Sequence, residues 1–263
     1  MILLLVLLVS VFKLVYTLQC IDRCTMMFSM NQSFILPSNC TYIQNDRCSV
    51  NLLFRYECGH YIVTFPGDLT YDENLGDTKH FIMIETARDA FFSYDINHVC
   101  KETDDCARHF AEKKILDMTQ RAFNISNLYS DLKQILHKKK IFDQDLLCFD
   151  ANESIRQCLV SGMTGSCEII DDLVKYKIHR RSCEYRIQES ASVNIYESGN
   201  FAMMTIKCNR MLCNGPVTIE AVKRVLNHYD ITDINGRLLG NSSHLSFKYY
   251  DCILTLIIVF WID

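Results

Sequence analysis

Fourteen cysteines among 263 residues constrain the fold of this chain more than any other feature of its sequence. In a reducing cytosol, cysteines at this density indicate metal sites or redox chemistry, whereas in an oxidising compartment they indicate disulfides. The choice depends on whether the chain enters the secretory pathway, and the two ends of the sequence bear on that question.

The N-terminus begins with an apolar run of 12 residues, Met1 to Phe12, interrupted by one serine. This length is typical of a secretory signal peptide and falls short of the roughly 20 residues that a transmembrane helix needs. Cleavage after Thr17 would put Val15 and Thr17 at the small-residue positions and leave Leu18 as the first mature residue. The alternative, a buried N-terminal helix, requires a polar stripe that this run lacks. The sequence therefore predicts a signal peptide over residues 1–17.

The C-terminus carries an apolar run of 11 residues, Cys252 to Ile262. Eleven helical residues rise about 16 Å, roughly half of the hydrocarbon core. Upstream lie the small residues Gly240 to Ser243 and a polar spacer, His244 to Asp251. Small residues, spacer and apolar tail together form the signal for replacement by a glycosylphosphatidylinositol (GPI) anchor. We predict attachment at Asn241, with Gly240 as the second choice and a buried terminal strand as the alternative.

Loss of the tail removes Cys252 and leaves thirteen cysteines in two blocks, separated by the cysteine-free stretch 107–147. The second block holds an even number and can close on itself, whereas the first block holds an odd number. One thiol is therefore free, paired across the blocks or paired with another molecule, and the connectivity stays open. The candidate disulfide cysteines are Cys20, Cys24, Cys40, Cys48, Cys58, Cys100 and Cys106 in the first block and Cys148, Cys158, Cys167, Cys183, Cys208 and Cys213 in the second.

N-glycosylation motifs agree with a secreted chain, since Asn-X-Ser/Thr marks surface asparagines in secreted proteins. We predict glycosylation at Asn31, Asn39, Asn124 and Asn152, while a fifth motif at Asn241 overlaps the predicted anchor site. The formal net charge of −4 argues against nucleic acid as a partner.

Alternation with a period of two predicts strands in the first block. Apolar residues alternate from Val50 to Tyr56 and from Tyr61 to Phe65, on either side of a turn at Cys58 to His60, and this predicts a hairpin. Two further strands are expected over Phe81 to Thr86 and Ala90 to Ile96.

Apolar residues at helical spacing follow from Ala107 to Leu136. They predict two helices that are separated near Asn124 to Asn127. Asp104 and Asp105 at the start and Lys138 to Lys140 at the end complement the helix dipole.

The second block mixes both types of element. Ile169 to Val174 predicts a short helix, whereas Ser192 to Tyr196 and Phe201 to Lys207 predict strands. Thr218 is expected to cap a helix that runs to Tyr229. The predicted fold class is α+β, disulfide-rich, with a β-rich N-terminal part, central amphipathic helices and a small mixed C-terminal module. The predicted domain order is a signal peptide (1–17), a cysteine-rich β domain (18–106), a helical segment (107–147), a cysteine-rich module (148–229), a stalk (230–241) and an anchor propeptide (242–263).

No pattern of residues in the sequence marks a catalytic site. The chain lacks a G-x-S-x-G elbow, and Gly162 to Ser166 lacks the lysine of a phosphate-binding loop, so a plain turn is expected there. H-E-x-x-H and C-x-x-C are absent as well. The acidic run Glu102 to Asp105 is predicted as a helix start and the pair Asp171-Asp172 as a solvated face. We therefore predict no catalytic, cofactor-binding or metal-binding residues.

The segment Cys208 to Asn214, CNRMLCN, is similar to the closing disulfide and following asparagine of the Ly6/uPAR family. The 66 residues from Cys148 to Cys213 and the downstream anchor signal also resemble that family of small, three-fingered, GPI-anchored ectodomains. This chain departs from the family in having no C-x-x-C opening at Cys148 and no adjacent cysteine pair. As a whole, it resembles the cysteine-rich GPI-anchored surface proteins that invertebrates carry in expanded families. The resemblance implies binding of a protein ligand or receptor, without catalysis or a cofactor.

Three functions stay open at this point. The first is a non-enzymatic, GPI-anchored, N-glycosylated ectodomain on the outer leaflet of the plasma membrane, secreted if the tail signal is not used, that binds another extracellular protein. The second is a secreted enzyme with histidines such as His60 or His109 in a cleft beside a carboxylate. The third is an extracellular structural protein that is cross-linked through the odd cysteine.

Overall fold

The computed structural model of the protein describes residues 17–67, 78–86, 90–137, 146–158, 164–186 and 191–239. Within these ranges strands outweigh helices, and the fold is a disulfide-rich, strand-dominated combination of a large antiparallel sheet with three helices. The chain divides into two compact units. The first lies within Met1–Ile125 and Ser192–Met203, and the second within Ser126–Ala191 and Met204–Asp263.

Strands dominate the first unit. Six of them form one antiparallel sheet in the order β12-β6-β7-β4-β5-β2, and β1 pairs separately with β3. Their bounds are β1 Leu18–Asp22, β2 Cys24–Ser29, β3 Thr41–Asn45, β4 Cys48–Arg55, β5 His60–Phe65, β6 Thr78–Glu85, β7 Phe91–Cys100 and β12 Ser192–Ser198.

The predicted hairpin is confirmed, because β4 and β5 pair side by side with Phe54 opposite Tyr61. Gly59 lies in the turn between them with φ +66°, a left-handed conformation that glycine adopts without strain. Every second residue of β4 is buried, and Phe54 and Tyr61 are fully enclosed. The period-two pattern of the sequence thus produces one buried face of the sheet.

Helix α1 (Cys106–Thr119) packs on β4 and β7 of this sheet. It buries Ala107, Ala111, Ile115 and Met118, which lie three or four residues apart on one side of the helix. Asp105 occupies the position before the helix, as predicted for a helix start, but its side chain makes no capping hydrogen bond. Its carboxylate lies 3.5 Å from the Arg108 guanidinium instead.

The second unit combines two helices with five strands in the described part of the chain. Its helices are α2 Ile125–Leu136 and α3 Pro216–His228, and its strands are β8 Leu147–Phe149, β9 Ile155–Gln157, β10 Thr164–Asp172, β11 Lys177–Arg186 and β13 Phe201–Cys208. The boundary between the units cuts two of these elements, because Ile125 of α2 and the first three residues of β13 belong to the first unit. β10 lies between β11 and β13, and β8 pairs with β9. The predicted helix break is slightly displaced, since α2 begins at Ile125 and already contains Asn127.

The helix predicted over Ile169 to Val174 is wrong, because residues 164–172 form the strand β10. A strand with a neighbour on each side and both faces covered shows no period of two. Ser166 to Ile169 are all buried, so β10 shows no alternation of buried and exposed residues. The apolar residues at 169, 170, 173 and 174 are instead spaced like those on one face of a helix. Asp171 and Asp172 are only 4% and 7% exposed, which corrects their prediction as a solvated face.

Two further expectations for the second unit change with the structure. The residue before α3 is Gly215, with Pro216 at the first helical position, so Thr218 lies inside the first turn and is not the cap. Proline suits that position because the first helical N–H needs no partner within the helix. Of the expected stalk, residues 230–239 are described, and they form a tight turn in which Thr232 bridges Leu238 and both are buried.

Candidate functional surfaces and buried polar clusters

Six disulfides join twelve of the thirteen candidate cysteines, and each closes inside its own unit. No bond links the first cysteine block to the second within the described residues. The pairs are Cys20–Cys48, Cys24–Cys40, Cys100–Cys106, Cys148–Cys167, Cys158–Cys183 and Cys208–Cys213. The even second block therefore closes on itself, as the sequence allowed.

Cys58 is the cysteine that stays unpaired, which corrects its inclusion among the disulfide cysteines. It lies in the exposed turn between β4 and β5, with its Sγ 3.6 Å from Oε1 of Glu57. Local desolvation and the Glu57 carboxylate raise the pKa of the Cys58 thiol. Because the thiolate is the reactive form, this environment slows reaction at neutral pH without hiding the sulfur from a partner.

All four predicted glycosylation sites inside the described ranges lie on exposed turns or loops. Asn31, Asn39, Asn124 and Asn152 are exposed, and so are the hydroxyl residues that complete their motifs, Ser33, Thr41, Ser126 and Ser154. An enzyme that transfers a glycan needs access to both residues, so none of the four sites is blocked by burial.

Several predicted features lie outside the described residues. They are the signal peptide up to residue 16, the lysines at 138–140, the glycine at 162, the anchor attachment site at Gly240 or Asn241, and the propeptide 242–263 with Cys252. Within the ranges that the structure covers, none of the helices has both the length and the apolar character to cross a bilayer.

A groove of about 410 Å³ opens on the first unit between a loop and helix α1. Its apolar wall is the loop Phe34 to Pro37 with Tyr42, and Arg108 and Glu112 of α1 provide charged groups. The Arg108 Nε lies 2.9 Å from Oε1 of Glu112, which fixes the guanidinium against the helix. Ile35 is 70% exposed and Tyr42 40% exposed, so the apolar wall faces solvent. Exposed apolar surface of this kind marks a site where something binds or covers it.

Histidine and carboxylate do converge in the first unit, but in its interior. His80 on β6 lies directly opposite Glu197 on β12, and both are at most 2% exposed. The Tyr94 hydroxyl lies 3.1 Å from Nδ1 of His80. Burial, helped by the nearby Lys114 ammonium, lowers the pKa of His80 to about 3, so the ring is neutral at physiological pH. The enclosed ring is not reached by a substrate, and the Tyr94 hydroxyl is its hydrogen-bond partner.

Of the two histidines named for an enzyme, His109 does lie beside a carboxylate. His60 is half-buried at the start of β5, and His109 is 69% exposed on α1, where Glu112 is its helical neighbour at 3.7 Å. Contacts between residues three positions apart on an exposed helix are common and require no function.

A cluster of charged side chains lies within the second unit on β10, β11 and β13. The Lys207 Nζ lies 2.6 Å from Glu184 and 3.4 Å from Glu168, while the Ser182 hydroxyl donates to Glu168 at 3.1 Å. Desolvation and the neighbouring Glu184 carboxylate raise the pKa of Glu168. Two carboxylates that share one ammonium favour a proton on one of them, since like charges at this distance repel. The sequence offered no signal for this cluster, because its members are far apart along the chain.

The Asn214 side chain is fully buried in the second unit and connects three of its strands. Its amide Nδ2 donates to the carbonyl oxygens of Phe149 (2.7 Å) and Glu168 (3.2 Å), and its Oδ1 accepts from the Phe149 N–H (2.9 Å). Only a side chain with both donors and an acceptor satisfies these backbone groups together. The residue after the predicted closing disulfide is therefore structural in this chain.

No family model matches the chain, and no curated protein matches its sequence.

Proposed function

We propose that this chain is a non-enzymatic, N-glycosylated ectodomain, anchored by a GPI lipid at the cell surface, that binds another extracellular protein. The observation that carries the proposal is the set of six disulfides, each closed inside its own unit. Disulfides at this density persist in oxidising compartments and are rare in the cytosol. They support an extracellular address independently of the two ends of the chain.

Two further observations support this address. The four described glycosylation motifs are exposed, as a glycoprotein requires. The Cys208–Cys213 pair forms, with the buried Asn214 directly after it, in agreement with the resemblance to the Ly6/uPAR family. That resemblance is the basis for proposing a protein ligand and no catalysis or cofactor.

The experiment expresses the full chain in animal cells with an epitope tag between Thr17 and Leu18. Thr17 is exposed, whereas Leu18 is 7% exposed and starts β1, so a flexible linker must precede Leu18. Intact cells are treated with a phosphatidylinositol-specific phospholipase, and the tag is measured in the medium. We expect release from the cell surface, because the enzyme cleaves the lipid from the protein.

A chain that lacks residues 252–263 is the matched control, since it keeps both folded units and loses the apolar tail. We expect this control in the medium without enzyme. Tag that stays on treated cells would contradict the lipid anchor, and tag inside the cytosol with free thiols would contradict the whole proposal.

A second candidate function is disulfide cross-linking to another molecule, and the exposed thiol of Cys58 is the observation that favours it. The test is a non-reducing gel of the secreted full chain beside its Cys58→Ser variant. A dimer or adduct that disappears in the variant supports cross-linking, whereas identical monomer bands for both proteins contradict it.

A further inference from the structure

We propose that the groove of the first unit is the binding site for the first sugars of the protein's own glycan at Asn39. The inference rests on the proposed glycoprotein and adds a defined contact to it: a carbohydrate that is covalently attached at the rim of the groove and packs into it. The groove is here defined by its apolar wall, Phe34 to Pro37 with Tyr42, and its charged groups, Arg108 and Glu112.

The position of Asn39 is the first step of the argument. Both of its chain neighbours, Ser38 and Cys40, line the groove, while Asn39 itself is exposed. The disulfide between Cys40 and Cys24 holds this end of the loop to strand β2. A glycan on Asn39 therefore starts one residue from the groove, on a rim that is covalently fixed.

The chemistry of the groove suits a sugar. N-acetylglucosamine has an apolar face of C–H groups and an acetyl methyl, which pack on aliphatic and aromatic surfaces such as Ile35 and Tyr42. Its hydroxyl and amide groups need hydrogen-bond partners, and Arg108 and Glu112, which pair with each other at 2.9 Å, add donors and acceptors to the lining of the groove. The volume of about 410 Å³ falls within the range of about 300–1,000 Å³ for small-ligand sites.

Covalent attachment removes the usual weakness of carbohydrate binding. A ligand on a short tether reaches an effective concentration in the millimolar range at its site. A sugar contact with a millimolar dissociation constant is then populated about half of the time, and while it is made the sugar covers part of the exposed Ile35 and Tyr42 side chains. The glycan at Asn39 thus provides an occupant for the groove, and the groove provides a contact surface for the glycan.

The other three motifs provide internal controls. None of the immediate neighbours of Asn31, Asn124 or Asn152 lines the groove. Their glycans start on exposed turns and loops whose immediate neighbours are not part of the groove lining, so we expect them to have little effect on the stability of the folded chain.

The test uses the full secreted chain. Occupancy at each asparagine is measured by mass spectrometry after enzymatic release of the glycans, which converts a formerly occupied Asn to Asp. Melting temperatures are then compared for the wild type, Asn39→Gln, Thr41→Ala and Asn124→Gln. Thr41→Ala removes the same glycan while Asn39 is retained, so it separates loss of the sugar from damage to the loop.

We expect Asn39→Gln and Thr41→Ala to lower the melting temperature by about 2–4 °C, the shift that one stabilising contact produces in a chain of this size. Asn124→Gln should leave it unchanged. In an Ile35→Ser, Tyr42→Ala background, loss of the Asn39 glycan should no longer matter. In nuclear magnetic resonance spectra, the acetyl methyl of the first sugar should show contacts to the Tyr42 ring.

Each outcome decides one claim. Glycans at other sites but none at Asn39 overturn the groove inference alone. The same holds if Asn39 is occupied but Asn39→Gln and Asn124→Gln melt together and no methyl–Tyr42 contact is seen. The absence of glycans from all four sites instead contradicts the proposed function.

Discussion

The two units of the protein bury different kinds of side chain. In the first unit, Phe54, Tyr61, Phe65, Phe92 and Tyr94 are at most 1% exposed. In the second unit, Leu132, Met204 and Ile206 are fully enclosed, and charged groups are enclosed with them: Glu168, Lys207, Asp171 and Lys223 are all below 10% exposed. Among the described residues, no phenylalanine or tyrosine of the second unit is as deeply buried as the five of the first.

This difference in buried side chains indicates how each unit gains its stability. Burial of apolar area stabilises the first unit at any pH. Its buried His80 has a pKa of about 3, whereas the unfolded histidine takes up a proton below about pH 6.5, so the stability of this unit should fall as the pH drops below about 6.5. The second unit must compensate the desolvation of buried charges by pairing them, as in the 2.8 Å contact between Lys223 and Asp171. The stability of the second unit should therefore depend on the charge of these pairs, whereas that of the first unit should depend on pH through the neutral His80.

Truncation of Phe54 to alanine should produce the largest effect, a loss of about 3–5 kcal/mol of unfolding free energy in the first unit. The ring is fully buried, with its centroid 5.9 Å from that of Tyr61, and its removal leaves a cavity. Hydrogen exchange followed by mass spectrometry reports the two units separately. Phe81→Ala, on the partly exposed face of β6, is the control and should cost far less. A loss for Phe54→Ala that changes strongly between pH 5 and 7 would contradict the contrast.

Lys207→Met should cost the second unit about 3 kcal/mol at pH 7, because it removes the ammonium that lies between the buried Glu168 and the half-buried Glu184 and leaves only the more distant Arg180, at 3.7 Å from Glu168. The loss should shrink toward pH 5, since a proton on Glu168 then relieves the repulsion. The control is Lys175→Met, because the Lys175 side chain is 68% exposed and its contact with Asp172 is worth at most about 1 kcal/mol. Equal losses at pH 5 and 7 would show that the cluster is not the source of pH dependence.

Removal of one disulfide from each unit compares how much the two units depend on their cross-links. Replacement of Cys158 and Cys183 by alanine should destabilise the second unit by about 2–5 kcal/mol, and the same change at Cys24 and Cys40 should cost the first unit slightly less. Loop closure accounts for about 0.4 kcal/mol of the difference, since the sequence separations are 25 and 16. Chemical denaturation of each variant, read by hydrogen exchange in each unit, measures both losses.

Glu168→Gln should give the smallest effect, a change of at most about 1 kcal/mol at pH 7. The pKa of Glu168 is raised in the folded chain above its ordinary value of 4.5. Such a group stabilises the fold most when it is protonated, below pH 4.5, and this contribution is lost as the pH rises through the folded pKa. The neutral amide should flatten that part of the pH profile, which a stability titration from pH 4 to 7 measures. An unchanged slope would assign the pH dependence to other groups.

Local patterns predicted the first unit better than the second. In the first unit, the hairpin of β4 and β5, the strand β12 and the α1 helix follow from periodicity, because one face of each element is more deeply buried than the other. Periodicity did not predict the strand β10, because both of its faces are covered and its residues show no alternation. The groove, the Glu168 cluster and the Asn214 contacts join residues that are distant in sequence, so no local pattern could reveal them.

The sequence by itself determined that the first cysteine block holds an odd number, since parity is a property of the sequence, and the cysteine density together with the predicted signal peptide predicted disulfides. The glycosylation motifs were also readable without a fold. Only the tertiary structure decided which sulfurs pair, that Cys58 is the thiol left over, and that Asn39 adjoins a groove. These depend on which backbone segments approach within bonding distance, and that approach is set by the packing of the sheet and helices.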